Sequence, residues 1–243
     1  MKEPVFTRIP GDDPIELIAY YDEFKGYYPD CEIKTKEWFV NNVQQDWVIF
    51  DCGANIGYYS ILFSRLAPGG HIYAFEPTST YDMLITNLNH HKASNVIPVK
   101  KALGKNTGQI RDSIFRIWGH DPEKQNYSFT TIDDFVKDNN LARLDCIKID
   151  VDSFDFEVLQ GAKDTMIKFD PFIIVELNHA LNKRHQYVPQ VLHWLTNLSY
   201  KSIYALDYDN FLLKRNFTPN KIEEWPDIKM CFNPRNYEIS KEG

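Results

Sequence analysis

From Trp47 onward the chain alternates between short unbroken apolar runs and longer stretches with apolar residues at helical spacing. WVIFDCG, HIYAFEP, NVIPVKKALG, LDCIKIDVD and PFIIVELN are the apolar runs. Runs of this length without polar alternation predict strands buried on both faces, as in a parallel sheet. Between them, IGYYSILFSRLA, TSTYDMLITNLNHH and FDFEVLQGAKDTMIKF predict helices, the second capped by Thr78 or Ser79. FTTIDDFVKDNN reads as a strand end passing into a short helix capped at Thr131 or Asp133. A helix near Tyr187 to Leu198, a β-hairpin over KSIYALDYDNFLLKR and a final strand at IKMCFNP complete the pattern. Strand and helix alternate, which predicts an α/β fold with a mostly parallel sheet and helices on both faces.

Two stretches break this rhythm. Residues 1–46 are aromatic and mixed in charge, and IELIAYYDEFKGYYPD followed by TKEWFVNNVQQD predicts a helix, a turn and a second helix. Such a piece serves either as a cap over a pocket or as packing. The domain proper then runs over 47–243, with a polar insertion near 105–127 whose IRDSIFRIW segment reads as a hairpin or loop. Trp118, His120 and Tyr127 in that insertion suit either stacking on a sugar face or ordinary loop packing.

Composition narrows the classes. The 243 residues suit one large domain, with 43% hydrophobic and 25% charged residues. A net charge of -7 provides no domain-wide basic field for phosphates, so nucleic acid is not the expected partner. Cys31, Cys52, Cys146 and Cys231 are scattered, which suits reduced thiols and a cytoplasmic location. The N-terminus lacks a signal-like apolar stretch, and no apolar run reaches the roughly 18 residues of a membrane span.

In parallel sheets of this kind, ligands bind beyond the carboxyl ends of the strands. After the first strand comes Asp51-Cys52-Gly53-Ala54-Asn55-Ile56-Gly57. Gly53 permits a tight turn with positive φ, and Gly57 allows the helix to start close to the strand or to a ligand. A dinucleotide site would show GxGxxG here; DxGxxxG puts a carboxylate where a pyrophosphate would sit and favours a ligand with an ammonium end. Glu76 ends the second strand about 20 residues later, where an acidic side chain accepts hydrogen bonds from ribose hydroxyls. The pair points to a nucleoside-bearing cofactor, and a nicotinamide oxidoreductase is disfavoured.

VIFDCGANIGYYS, HIYAFEPTSTYDMLITNL, TTIDDF, IKIDVDSFDFEVLQGA and FIIVELN together resemble the FkbM-type family of S-adenosylmethionine-dependent methyltransferases over Trp47 to Asn178. IKMCFNP resembles the closing strand of such proteins. The resemblance implies a class I methyltransferase (Rossmann-like) fold with a seven-stranded, mostly parallel sheet whose last strand is antiparallel. It implies S-adenosylmethionine as cofactor, with Asp51, Gly53, Ala54, Asn55 and Gly57 around its methionine part and Glu76 on its ribose. Thr78 and the backbone near Ala102 would lie by the adenine, and Asp150 near the transferring methyl. It also implies O-methylation of sugars or related natural products.

One stretch departs from the family pattern. Where relatives read DVEG with a glutamate two residues later, this chain has Asp150-Val151-Asp152-Ser153-Phe154-Asp155. Ser153 replaces a glycine, and each shortened acid loses about 1.5 Å of reach per carbon bond. Methyl transfer to oxygen needs alignment and removal of a proton, for which Asp150, Asp152 and His179 are candidate bases. His179 equally suits a surface or capping role. Asp150, Glu176 and Asn178 supply three oxygens from adjacent strand ends, a set for Mg²⁺ or for hydrogen bonds to a sugar. The expected partner is a small-molecule or glycan acceptor. A lipid, polyketide or amine acceptor, and a cofactor-binding module with weak or no catalysis, stay open, and the oligomeric state is not legible.

Overall fold

The computed structural model describes residues 3–9, 12–27, 31–114, 124–200, 202–207 and 209–215. The IKMCFNP strand, Cys231, Trp118, His120 and the SKEG tail fall outside the described residues.

The N-terminal segment differs from the two-helix expectation. β1 (Val5–Ile9) and β2 (Asp12–Leu17) form an antiparallel hairpin, with Val5 opposite Leu17 and Thr7 opposite Ile15. Ile15 and Leu17 are fully buried while Pro14 and Ile18 are exposed, so the stretch follows a period of two. The Asn87 side chain accepts the backbone N–H groups of Ile18 and Ala19, both at 3.0 Å, which a helix would have used internally. A single turn, α1 (Phe24–Tyr27), and the expected second helix, α2 (Ile33–Asn42), follow.

The main sheet contains β3 (Val48–Cys52), β4 (His71–Phe75), β5 (Val96–Val99), β9 (Cys146–Ile149), β10 (Phe172–Glu176), β11 (Ser202–Ala205) and β12 (Asn210–Lys214). Its order is β11-β12-β10-β9-β3-β4-β5. Neighbours from β10 through β5 pair in parallel, whereas β12 is antiparallel to both β10 and β11. This is the seven-stranded, mostly parallel α/β sheet expected. Its closing antiparallel strand is Asn210–Lys214, the second arm of the predicted hairpin.

Helices α3 (Tyr58–Leu66), α4 (Tyr81–His90), α5 (Ile132–Asp138), α6 (Asp155–Gln160), α7 (Lys163–Phe169) and α8 (Val188–Asn197) complete the fold with a 3-10 helix, His179–Arg184. A small second sheet holds β6 (Ala102–Leu103), β7 (Gly108–Asp112) and β8 (Gln125–Thr130) in the order β6-β8-β7, so part of the insertion is a hairpin. Thr131 caps α5, its hydroxyl accepting the Asp134 N–H at 2.9 Å.

Alternation along each strand divides the core in two. Phe50, Tyr73 and Phe75 face one layer, where the Phe135 ring meets them edge-on at 5.6, 5.4 and 4.8 Å. Ile49, Ile72 and Ala74 face the other layer, with the N-terminal hairpin, Trp38, Phe39 and Phe63. The order of winding reverses between β3 and β9, and the carboxyl ends of these two parallel strands flank the cleft. Among the described residues no helix is long and apolar enough to cross a membrane.

Candidate active site

The cleft encloses about 1140 Å³, part of it open to solvent, and is walled by the ends of β3, β4, β9 and β10 together with α1 and the start of α2. One half is apolar, with Phe75, Ala102, Leu103, Ile114 and Phe129; the other carries charge.

The loop after β3 is built by backbone constraints. Gly53 (φ 85) has no room for a side chain, since a Cβ there would lie 1.8 Å from the Asp150 carbonyl oxygen. Gly53 and Ala54 donate their N–H groups to the Phe75 carbonyl at 3.0 and 2.9 Å, so the loop is fastened to the end of β4. Asn55, also left-handed (φ 50), donates its N–H to Glu76 Oε2 at 3.1 Å. Glu76 Oε1 accepts from the Thr78 N–H at 2.9 Å and from the Thr78 hydroxyl. Thr78 is thus turned toward Glu76, and Thr80 occupies the N-cap position of α4.

Gly53, Ala54, Asn55, Glu76, Thr78 and Ala102 all line the cleft. Asp51 and Gly57 stand behind the wall. Asp51 is fully buried; its Oδ2 accepts from the Ser60 hydroxyl at 2.5 Å, and its Oδ1 has no hydrogen-bond partner. Burial raises its pKa, opposed by the charge of Lys148. Gly57 (φ 96) fits α3 against α4, because a Cβ there would lie 2.8 Å from Leu84 Cδ1.

At the end of β9, Lys148 is only 2% exposed, and its Nζ lies 3.0 Å from Asp150 Oδ2. A buried ammonium would ordinarily lose its proton, but Asp150, Asp51 and Glu32 hold Lys148 well above the usual lysine range. Asp150 and Asp152 both line the cleft. Asp152 takes the left-handed backbone (φ 61), whereas Ser153 does not, so its side chain meets no glycine-only geometry. Asp155 Oδ1 accepts the Val151 N–H at 3.0 Å and closes this turn. Burial pushes the Asp155 carboxyl up to about 7. Phe154 lines the cleft, and the Arg184 guanidinium lies 3.7 Å from its ring centroid. Arg184 also pairs with Glu157 at 2.6 Å and Asp112 at 3.2 Å, which ties this turn to β7.

Five participants were not singled out from sequence. Glu32 precedes α2 in a left-handed conformation (φ 49) and lines the cleft. The Tyr59 hydroxyl donates to its Oε2 at 2.6 Å, and Asn210 Nδ2 donates to its Oε1 at 2.8 Å. Asp207 fixes this end of α2 by accepting the Thr35 N–H at 2.8 Å and the Thr35 hydroxyl at 2.7 Å. Lys148 is the fifth; a lysine inside the apolar run CIKI needs a buried counter-charge, and that was its signal in the sequence. Burial and the nearby Asp150 raise the pKa of Glu32 and of Glu176.

His179 does not line the cleft. It is exposed at the start of the 3-10 helix, where its charge acts on Asp209. Asn178 is spent on that helix: its Oδ1 accepts the Ala180 N–H at 2.8 Å. Asp150 and Glu176 share the cleft, but Asp150 is engaged by Lys148. Among the described residues no three His, Cys, Asp or Glu side chains gather to hold a metal ion, and Asn178 does not line the cleft with Asp150 and Glu176.

Comparison with known proteins bears on the family of this chain. The hexuronic acid methyltransferase AglP of Haloferax volcanii is 26% identical over 152 residues, covering 60% of this chain and 62% of that protein. Methyltransferase 1 of Beauveria bassiana is 24% identical over 203 residues, covering 67% of this chain and 82% of that protein. The crystal structure of methyltransferase FkbM from Methylobacillus flagellatus shares the fold, with a TM-score of 0.54 at 17% identity over 71% of this chain and 44% of that one. This chain therefore spans less than two thirds of the length of the archaeal relative and of the solved structure. A family model described as the methyltransferase FkbM domain matches residues 51–202. With that match over more than half its length, the chain belongs to the FkbM family of S-adenosylmethionine-dependent methyltransferases.

Proposed function

We propose that this chain binds S-adenosylmethionine in the cleft and methylates a hydroxyl of a sugar or glycan. The observation that carries this is the convergence, in one cleft, of an apolar wall, the tethered Glu76 carboxylate and the Lys148–Asp150 pair. The residues fit the cofactor chemically. Phe75, Ala102, Leu103, Ile114 and Phe129 suit a purine ring, Glu76 suits a diol, and an excess of carboxylates suits a cation. When bound, the cofactor supplies an electrophilic methyl group on a sulfonium.

The remaining work falls to the chain. Glu76 is held by Asn55 and Thr78 before any ligand arrives, so binding there costs little reorganisation. Asp150 is the proposed residue that orients the acceptor hydroxyl and takes up its proton, with Lys148 holding the carboxylate in place. Asp152 is the alternative base, from the same turn. His179, outside the cleft wall, is not given a catalytic role. The archaeal relative is named for a hexuronic acid, a carboxylated sugar, so it supports a sugar acceptor at the level of class and says nothing for the charge that this cleft accepts.

The test is methyl transfer from labelled S-adenosylmethionine to a panel of glycosides and nucleotide sugars. Incorporation that needs both chain and acceptor supports the proposal. Incorporation only into lipids or amines would replace the acceptor. Tight cofactor binding without transfer to any acceptor would favour a binding module.

A further inference from the structure

The charged half of the cleft carries more negative than positive groups. Glu32, Glu76, Asp150, Asp152 and Glu176 line it, against Lys101 and Lys148. Lys148 is already committed to Asp150 at 3.0 Å and lies over the Tyr59 ring at 4.6 Å. Among the described residues the Glu176 carboxylate, largely buried and in the cleft wall, has no hydrogen-bond or ion-pair partner.

Glu32 adds an independent sign. It comes from the N-terminal segment, outside the matched family region at residues 51–202. Its left-handed backbone is a conformation disfavoured for residues with a Cβ, and such outliers collect at functional sites. Its carboxylate is held by Tyr59 and by Asn210, the latter from β12 and in register opposite Glu176. Tyr21, Phe24 and Tyr27 of the same segment line the cleft beside it.

We propose that Glu32, Glu176 and Lys148 form the acceptor subsite, and that it takes a neutral, hydroxyl-rich sugar while rejecting sugars that carry a carboxylate. The proposal rests on the methyltransferase reading and deepens it. Sugar hydroxyls donate to the two carboxylates and accept from Lys148, while Tyr21, Phe24 and Tyr27 offer rings to the apolar face of a pyranose. A sugar acid brings another anion beside Glu32 and Glu176, and Lys148, the buried lysine of the cleft wall, is already paired. Burial and the neighbouring Asp150 raise the pKa of both Glu32 and Glu176, which marks how much negative charge is already crowded into this part of the cleft.

The test compares methyl β-glucoside with methyl β-glucuronide, which differ only in the C6 carboxylate. Initial rates with S-adenosylmethionine should favour the neutral glycoside by at least about 100-fold in kcat/KM. If neither turns over, binding of the same pair to the chain saturated with S-adenosylhomocysteine should show the same order. Equal or reversed preference, or binding of neither glycoside, overturns the proposal. E32Q, which removes one charge, should narrow the ratio about tenfold, and an unchanged ratio removes Glu32 from the subsite. E176Q provides the same reading if E32Q fails to fold, because Glu176 has no hydrogen bond to lose. Failure of S-adenosylmethionine to bind at all would instead overturn the underlying reading, and this proposal with it.

Discussion

Lys148 and Asp150, two residues apart at the end of one strand, form an ion pair of 3.0 Å in which the lysine is 2% exposed and the aspartate 31%. The asymmetry has consequences. Lys148 has nowhere else to place its charge and also faces Asp51 and Glu32, whereas Asp150 keeps partial contact with water. K148M should therefore destabilise the fold by about 3 kcal/mol, and D150N by clearly less, because the pair is partly screened at Asp150. Chemical denaturation of both variants checks the order. D150N should lower turnover far more than cofactor affinity. Equal losses in both would confine Asp150 to the cofactor site.

Glu76 organises the cofactor half of the cleft through Asn55 and Thr78. E76A should weaken S-adenosylmethionine binding by about 100-fold, the scale of two lost charge-assisted hydrogen bonds. Titration calorimetry reads this directly, and unchanged affinity would remove Glu76 from the site.

Asp155 gives a pH dependence of stability with a defined sign. The folded chain keeps its proton up to about 7. The unfolded chain releases it near 4, so between these values the folded state binds more protons. Stability should fall as pH rises through that window, by on the order of 4 kcal/mol in all, and level off above it. D155N, which imitates the protonated side chain, should flatten the profile and raise the melting temperature at pH 8 relative to wild type. An identical slope in the variant would assign the effect elsewhere.

Gly57 and Gly53 separate packing from binding. A methyl at Gly57 meets Leu84 and forces a left-handed residue to carry a Cβ (φ 96). G57A should cost about 1–3 kcal/mol of stability while leaving cofactor affinity per folded molecule within a few-fold. A selective loss of affinity with unchanged melting would return Gly57 to the ligand.

The parallel sheet was legible because each strand is a short, unbroken apolar run, and the strand-end filter led directly to Glu76, Asp150 and Glu176. What escaped depends on contacts distant in sequence. Nothing local in CEIKTKE reveals that Glu32 meets Asn210, 178 residues away. Ile15 and Ile18 stand at helical spacing while Ile15 and Leu17 stand at strand spacing, and only the pairing with β1 and the capture of backbone N–H groups by Asn87 decide between them. Asn178 has the chemistry of a ligand, yet the chain turns there and its oxygen is used as a helix cap. Asp51 and Gly57 carry the family motif from behind the cleft wall.

The Lys148–Asp150 pair has meaning for catalysis only if a sulfonium occupies the cleft beside it. Titration calorimetry of the purified chain with S-adenosylmethionine, and separately with NAD, tests this most directly. We expect saturable one-to-one binding of S-adenosylmethionine and no heat from NAD. Binding of NAD alone, or of neither, would contradict the assignment.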